Sequence, residues 1–300
     1  MQALQFTAYG GPEVLTWGEA PVPHAGPGQI RIVVRAASVN PVDWKLLTGG
    51  MSGGQPLAGP GYLGHDAAGV VDQAGDGVTG VAVGDDVFGR GQNTQAEYAV
   101  LDAWVAKPPP VDWAVAAAAG VAGETSERGL RLLGVKAGDT IFVDGGAGGV
   151  GAVAVQMAVA RGAAVIASAG QANQDYLREI GAIPVRYGQG VAGRVRAAAG
   201  GRVDAVFDVA GKTPVQELIS LVSAPSQVLS IANFAAGQAG ARVTGGSADS
   251  RPTEALVEVA ELLAQNKLVI KVQTFPFSRA AEAYRISLGG HVRGKLVLVP

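Results

Sequence analysis

No cysteine occurs among the 300 residues. That excludes disulfides and every zinc site that depends on thiolate ligands, including a structural lobe built on four cysteines. Charge is also sparse: Asp, Glu, Lys and Arg make up 16% of the chain, the net charge is −2, and no long basic run occurs. Nucleic acid is therefore not an expected main partner. The first residues, Met1-Gln2-Ala3-Leu4-Gln5-Phe6, have neither a basic start nor a long apolar core, so no targeting segment is expected. The longest weakly polar stretch, 145–170, is rich in glycine and broken by Gln156 and Arg161, so no membrane span is expected and a cytoplasmic location fits. What the chain does have is glycine, 45 residues of it, with 48% hydrophobic residues, enough for a sizeable core in about two domains.

One stretch organises the rest. Residues 140–143 are β-branched and aromatic, as a buried strand requires, and Gly146-x-Gly148-x-x-Gly151 follows. Residues 152–161 have helix-forming composition, Gly162 stops them, and 163–167 form a second apolar strand. The spacing predicts one βαβ unit with a dinucleotide fingerprint. In such a unit the first glycine permits a tight turn, the second lets backbone approach a pyrophosphate, and the third lets the helix pack on the sheet. Gly146, Ala147, Gly148, Gly149 and Val150 are thus the phosphate-binding candidates, with free N–H groups and the helix macrodipole facing the anion. No Lys-Ser/Thr follows the loop, so a triphosphate P-loop is not supported.

Residues 1 to about 110 read as mostly β: strands at 1–9, 15–19, 30–36, 67–74, 87–89 and 95–100, and a short helix opened by Pro41 and running to Leu47. Helical segments are expected at 113–120 and 124–133, at 173–180 with Asn173 as N-cap, and at 215–222, 253–266 and 280–286. Strands are expected at 203–209, 227–231, 242–245 and 296–299. Alternating strands and helices from about 120 to 250 predict an α/β, doubly wound parallel Rossmann sheet. The β-rich first third predicts a separate domain to which the last strand returns.

Several ordered blocks resemble the zinc-independent quinone oxidoreductase branch of the medium-chain dehydrogenase/reductase superfamily. They are Gly11-Pro12-Glu13-Val14-Leu15, 37–45 with Asn40-Pro41-Val42-Asp43-Trp44-Lys45, 63–71 with Leu63-Gly64-His65-Asp66, 83–87, 147–151, and Arg293-Gly294-Lys295-Leu296-Val297. The resemblance covers the whole chain. It implies a GroES-like substrate domain (1–118, completed by 267–300), a Rossmann domain (119–266), a cleft between them and a homodimer. Zinc relatives carry cysteine at the position of Asn40 and histidine at that of His65; a lone imidazole falls short of the three protein ligands of a catalytic zinc, and although Asp43, Asp66 and Glu97 could supply oxygens, His65 reads as a hydrogen-bonded histidine and no metal is expected.

Without a Lewis acid, the chemistry implied is hydride delivery to an acceptor that spreads its own negative charge, a quinone or an α,β-unsaturated carbonyl. The resemblance places Asn40 and Thr125 at the nicotinamide end, with Val209 packing near the ring; Ile231 and Arg293 complete the cofactor set. Lys45 could polarise a carbonyl oxygen or be an ordinary solvated helix lysine; Tyr62 is a weaker proton-donor candidate, and solvent is the default donor. The pocket walls implied are Trp44, Lys45, residues 51–62, Phe234 and Phe275, and the glycine-rich segment 49–61 reads as a mobile rim.

The second Rossmann strand ends Ala167-Ser168-Ala169-Gly170, without the acid that would bind a ribose 2′-OH. That favours NADPH, with Ser168 donating to the 2′-phosphate, N–H groups near Asn173 helping, and Tyr187 matching a family tyrosine at the adenosine end. No basic residue follows before Arg178. The competing reading is a cofactor-binding module of the same fold with little catalysis. A short-chain dehydrogenase is not supported, because no tyrosine is followed four residues on by lysine.

Overall fold

A computed structural model of the chain describes residues 1–245 and 248–300. It divides into two compact units: Met1–Val121 with Pro252–Ala264 and Ile270–Pro300, and Ala122–Arg251 with Gln265–Val269.

The first unit opens with strands β1 (Gln2–Phe6), β2 (Thr16–Glu19) and β3 (Ile30–Val39), helix α1 (Pro41–Leu47), then β4 (Gly61–Tyr62), β5 (Asp66–Ala74), β6 (Asp86–Gln92) and β7 (Tyr98–Ala106). β3 shows why strands form here. Ile30, Ile32 and Val34 are buried while Arg31 and Arg35 face outward, and from Ala36 onward the strand is buried continuously. β7 pairs back onto β3, so the run β3-β5-β6-β7 closes on itself and leaves few exposed strand edges. Helix α2 (Trp113–Leu133) is one continuous element where two segments were expected. The glycines at 120 and 123 are tolerated because residues 116–120 and 122–130 of the helix are buried.

The second unit holds β8 (Thr140–Asp144), α3 (Gly149–Ala160), β9 (Ala164–Ala169), α4 (Gln174–Glu179), β10 (Ile183–Arg186), α5 (Val191–Ala199), β11 (Ala205–Asp208), α6 (Val215–Ile219), β12 (Val228–Ser230) and β13 (Arg242–Val243). The strands are all parallel in the order β10-β9-β8-β11-β12-β13. This is the expected doubly wound sheet. β10 and α5 had no counterpart in the sequence reading: β10 is four residues long and contains a proline, which demotes a strand pattern. The order reverses between β8 and β11, and ligands of such sheets gather outside the carboxyl ends of the strands at that switch point.

The chain returns to the first unit with α7 (Pro252–Ala264), β14 (Val272–Pro276), α8 (Ala280–Gly289) and β15 (Lys295–Val299). β15 pairs antiparallel with β3, Leu298 opposite Ala37, as expected of the last strand. Among the described residues no helix is long and apolar enough to cross a membrane.

Candidate active site

In the second unit, β8 runs into a turn that is positioned by backbone and glycine. Gly145 has φ +94°, so the tight turn falls there, one residue before the fingerprint's first glycine. A Cβ on Gly151 would sit 2.2 Å from the Gly145 carbonyl oxygen, so helix and turn touch only because this residue is glycine. A Cβ on Gly148 would meet only that same oxygen, at 3.5 Å, so the space above it is open. Helix α3 begins immediately after, at Gly149, with Gly148 as N-cap and no side-chain capping bond. The first-turn N–H groups therefore lack the internal partner that most helix starts supply. Open space above Gly148 and an uncapped twelve-residue helix are the donor set and shape that a phosphate bridge requires. Ser126 on α2 donates to the Val150 carbonyl at 3.0 Å and pins the helix start; nothing in its local sequence distinguishes it.

Other cofactor candidates of this unit come together in two groups. Val150, Val209 and Ile231 pack against one small apolar cluster of Ala154, Phe207 and Leu229. Tyr187 packs against Gly170, its ring carbon 3.3 Å from where a Cβ would stand. Arg186, which the sequence reading overlooked, is opposite Ala169 in the β10–β9 register and shares a surface concavity with Gln171, Gln174 and Arg178. Gln174, also overlooked, donates from Nε2 to the Ala169 and Val185 carbonyls at 2.9 and 3.2 Å, tying the ends of β9 and β10 together. Thr125 is buried on α2, its hydroxyl accepting from Arg128 at 3.4 Å.

One expectation is corrected here. Ser168 is fully buried, donates to Asp144 Oδ1 and accepts the Gly145 N–H at 2.9 Å. Its hydroxyl is engaged inside the sheet and is not available to a 2′-phosphate. Asn173 is the N-cap of α4, as expected, although its side chain makes no capping bond.

The first unit carries a buried polar network. Asp43, on α1, accepts the Asn40 N–H at 2.7 Å and Gln95 Nε2 at 3.4 Å on one oxygen, and the Gly64 N–H at 3.2 Å and His65 Nδ1 at 2.7 Å on the other. Asp66 accepts Ser38 Oγ at 2.6 Å and Asn40 Nδ2 at 2.9 Å on Oδ1, and the Val121 N–H at 2.7 Å on Oδ2. Lys295 Nζ donates to Asn40 Oδ1. Tyr284, wholly buried, donates to Gln95 Oε1 at 2.8 Å. Burial works against a charged His65 ring, but the bond and charge of Asp43 and the charge of Asp66 outweigh it and raise its affinity for protons, with Arg90 opposing. Burial lowers that of Lys295, against the pull of Asp66 and Asp43.

Asn40 is thus present, but with its amide fully occupied: both N–H bonds go to Ser38 and Asp66, and its oxygen takes Lys295. Lys45 and Tyr62 lie outside the network. Lys45 Nζ stands 5.8 Å from the Trp44 ring centroid, and Tyr62 is half-buried on β4 opposite Gln5. Arg293 is exposed before β15. Phe275 belongs to the first unit's core at 4% exposure, not to a pocket wall, whereas Phe234 is exposed. Lys295, the cation that completes the network, was legible as a lone charge opening the apolar run Leu296–Val299. Among the described residues no three His, Asp or Glu side chains form a metal-binding group.

Comparison with known proteins agrees with both halves. Residues 26–165 match the alcohol dehydrogenase GroES-like domain, and residues 182–298 the zinc-binding dehydrogenase domain. A chloroplast envelope quinone oxidoreductase homolog of Arabidopsis thaliana is 30% identical over 100% of this chain and 98% of its own length. A quinone oxidoreductase structure from Coxiella burnetii aligns over 100% of this chain and 99% of its own, with TM-score 0.86 and 30% identity. A mycobacterial structure complexed with NADPH aligns over 100% of both chains, with TM-score 0.86 and 27% identity.

Proposed function

The chain belongs to the medium-chain dehydrogenase/reductase superfamily, among its quinone oxidoreductases, and from that premise we propose that it reduces quinones or α,β-unsaturated carbonyls with NADPH. The observation that carries this reading is the uncapped start of α3 beneath the open glycine turn, at the switch point of a doubly wound sheet. NADPH, when bound, supplies the hydride. The residues around it bind and orient. Gly146, Ala147, Gly148, Gly149 and Val150 take the phosphate bridge, and Val150, Val209 and Ile231 offer apolar surface near it. Tyr187 takes the adenosine end, with Arg186 as the cation that the 2′-phosphate requires in place of Ser168.

In the first unit, Asn40 acts through its hold on Lys295 and Asp66. Lys45 is the candidate to polarise the acceptor's carbonyl oxygen, Tyr62 is the weaker proton-donor candidate, and solvent returns the proton by default. The reaction is zinc-independent on the chemistry of the donor set. The chain has no thiolate, and among the described residues no three His, Asp or Glu side chains are grouped as a metal would need, which supports reading His65 as a hydrogen-bonded histidine. A cysteine-free chain suits the cytoplasm. The homodimer is carried by the family resemblance, and edge strand β13 with exposed Val243 is where a second copy would add.

The test follows NADPH absorbance with 1,4-benzoquinone, a substituted naphthoquinone and a simple enone. Turnover with any of them is expected. NADPH binding without turnover across the panel would mark a cofactor-binding module instead. Light scattering of the purified chain reads the dimer.

A further inference from the structure

Four side chains at the carboxyl ends of adjacent parallel strands of the second unit form a row: Ser168 on β9, Asp144 on β8, Asp208 on β11 and Ser230 on β12. Asp144 is opposite Asp208 and Asp208 opposite Ser230 in register, and Ser168 bonds directly to Asp144. Residues in register project from the same face of a sheet, so the two carboxyl groups stand side by side. None of the four is more than 1% exposed.

The two aspartates are supplied unequally. Asp208 accepts the N–H groups of Ala210 and Gly211 at 3.1 and 2.7 Å on one oxygen and the Ser230 hydroxyl at 2.7 Å on the other. Asp144 accepts Ser168 on Oδ1, and among the described residues its Oδ2 has no hydrogen-bond partner. It also sits at the hinge of the cofactor turn. Ser168 accepts the Gly145 N–H from its side chain and the Gly146 N–H from its carbonyl, both at 2.9 Å. The carboxyl, the hydroxyl and the turn backbone thus form one hydrogen-bonded chain.

We propose that Asp144 is a positioning residue that carries a proton when a dinucleotide phosphate bridge rests on the Gly146–Val150 turn, so that cofactor binding takes up a proton from solvent and weakens as pH rises. The proton resides on Asp144 Oδ2, the oxygen without a hydrogen-bond partner among the described residues. Two buried carboxylates side by side do not both stay ionised at no cost, and an anion arriving above them adds to the repulsion. The groups acting on Asp144 come from each element around it. Burial raises its affinity for protons most; the bonded Ser168 hydroxyl opposes this, as does the nearby Thr213 hydroxyl although it does not reach hydrogen-bonding geometry, while Asp208 on β11 and Glu217 on α6 reinforce it. Helix α3 carries no charged residue. The coupling is reciprocal: if the bound anion raises Asp144's affinity for a proton, the proton raises affinity for the anion. This rests on the proposed NADPH site.

Calorimetric titration of the full chain with NADPH and with NADH, in two buffers of different ionisation enthalpy from pH 5 to 9, reads proton uptake and Kd together. NADH lacks the 2′-phosphate and so removes that group's own titration. The wild type is expected to take up as much as one proton with either cofactor and to lose as much as about tenfold in affinity per pH unit within the window. Asp144→Asn keeps the shape and the bond to Ser168 but cannot titrate. With NADH it is expected to take up no proton and to hold the wild type's low-pH Kd throughout. Glu217→Gln, which keeps an acceptor for the Ala192 N–H, is expected to move the window to lower pH. Binding without proton uptake in the wild type, or uptake unchanged in Asp144→Asn, overturns the inference and leaves the NADPH site standing. Absence of NADPH binding at every pH overturns both. Should Asp144→Asn fail to fold, the Glu217→Gln shift decides: an unmoved window overturns the inference.

Discussion

Each unit buries a pair of aspartates, and the two pairs are handled in opposite ways. In the first unit Asp43 and Asp66 are surrounded by donors and cations: backbone N–H groups, Ser38, Asn40, His65, and Lys295 within the same network. In the second, Asp144 and Asp208 adjoin each other, and among the described residues one oxygen of Asp144 has no hydrogen-bond partner. A carboxylate whose lone pairs are all met rigidifies its surroundings, whereas one left short of donors remains responsive to protons and to nearby charge. The first pair is a scaffold, the second a sensor.

The largest expected effect breaks the scaffold. Asp66→Ala strips partners from Ser38, Asn40 and the Val121 N–H and leaves Lys295 with less countercharge. Stability measured by denaturant titration should fall by about 3–5 kcal/mol, as when one member of a buried charged set is removed. Next comes the turn above the sensor. Gly151→Ala forces a methyl into the Gly145 carbonyl and should cost about 1–3 kcal/mol by overpacking, read in the same titration. Arg186→Ala should raise the Kd for NADPH about tenfold, about 1.4 kcal/mol, and leave NADH unchanged.

The comparison sharpens further with pH. His65 binds its proton more tightly in the fold, so its pair with Asp43 contributes stability that is fully present below about pH 6.5 and lost as pH rises through the raised folded value. His65→Gln should therefore destabilise at low pH and matter less at pH 9. Asp144 also binds its proton more tightly, but as an acid this means its ionised form is penalised in the fold. The penalty is absent below about pH 3.9 and complete above the folded value. Asp144→Asn should be neutral in acid and stabilising in alkali, the reverse of His65→Gln in both sign and range; thermal melts across pH read both. The smallest effect belongs to the exposed pair of Arg178 and Asp175: Asp175→Ala should stay within about 0.5 kcal/mol.

The elements that were legible in the chain are those whose local signals agree. Helix α1 begins at Pro41 and ends at Leu47 as expected, because a first-turn proline and the Asp43 contact to Asn40 N–H both act locally. The glycine turn was legible because its spacing is a local pattern, with Gly151 required by the Gly145 carbonyl six residues back, although Gly146 is closed by Ala167 on β9. Strand β10 and helix α5 were not, since a short strand on a sheet edge, broken by Pro184, owes its place to β9 rather than to its own pattern. The face of α7 could be read from its periodicity, but not that it packs on β7. Among site residues, Ser168 was placed correctly at a strand end and given the wrong partner: alternation along a strand shows which face a hydroxyl occupies, not which carboxylate already waits there. Asp144 was passed over because its significance lies in its register with Asp208, and register is invisible in one chain's local sequence.

Gly120 limits which substitutions the fold tolerates. Gly120 lies inside α2, where helix propensity alone would favour alanine by about 1 kcal/mol. Yet a Cβ there would stand 2.6 Å from the Asp66 Cβ, against the side chain that reaches the neighbouring Val121 N–H. In a saturation library scored for folded protein, this mid-helix position should be among the least permissive in the chain, closed even to the residue that helices accept most readily.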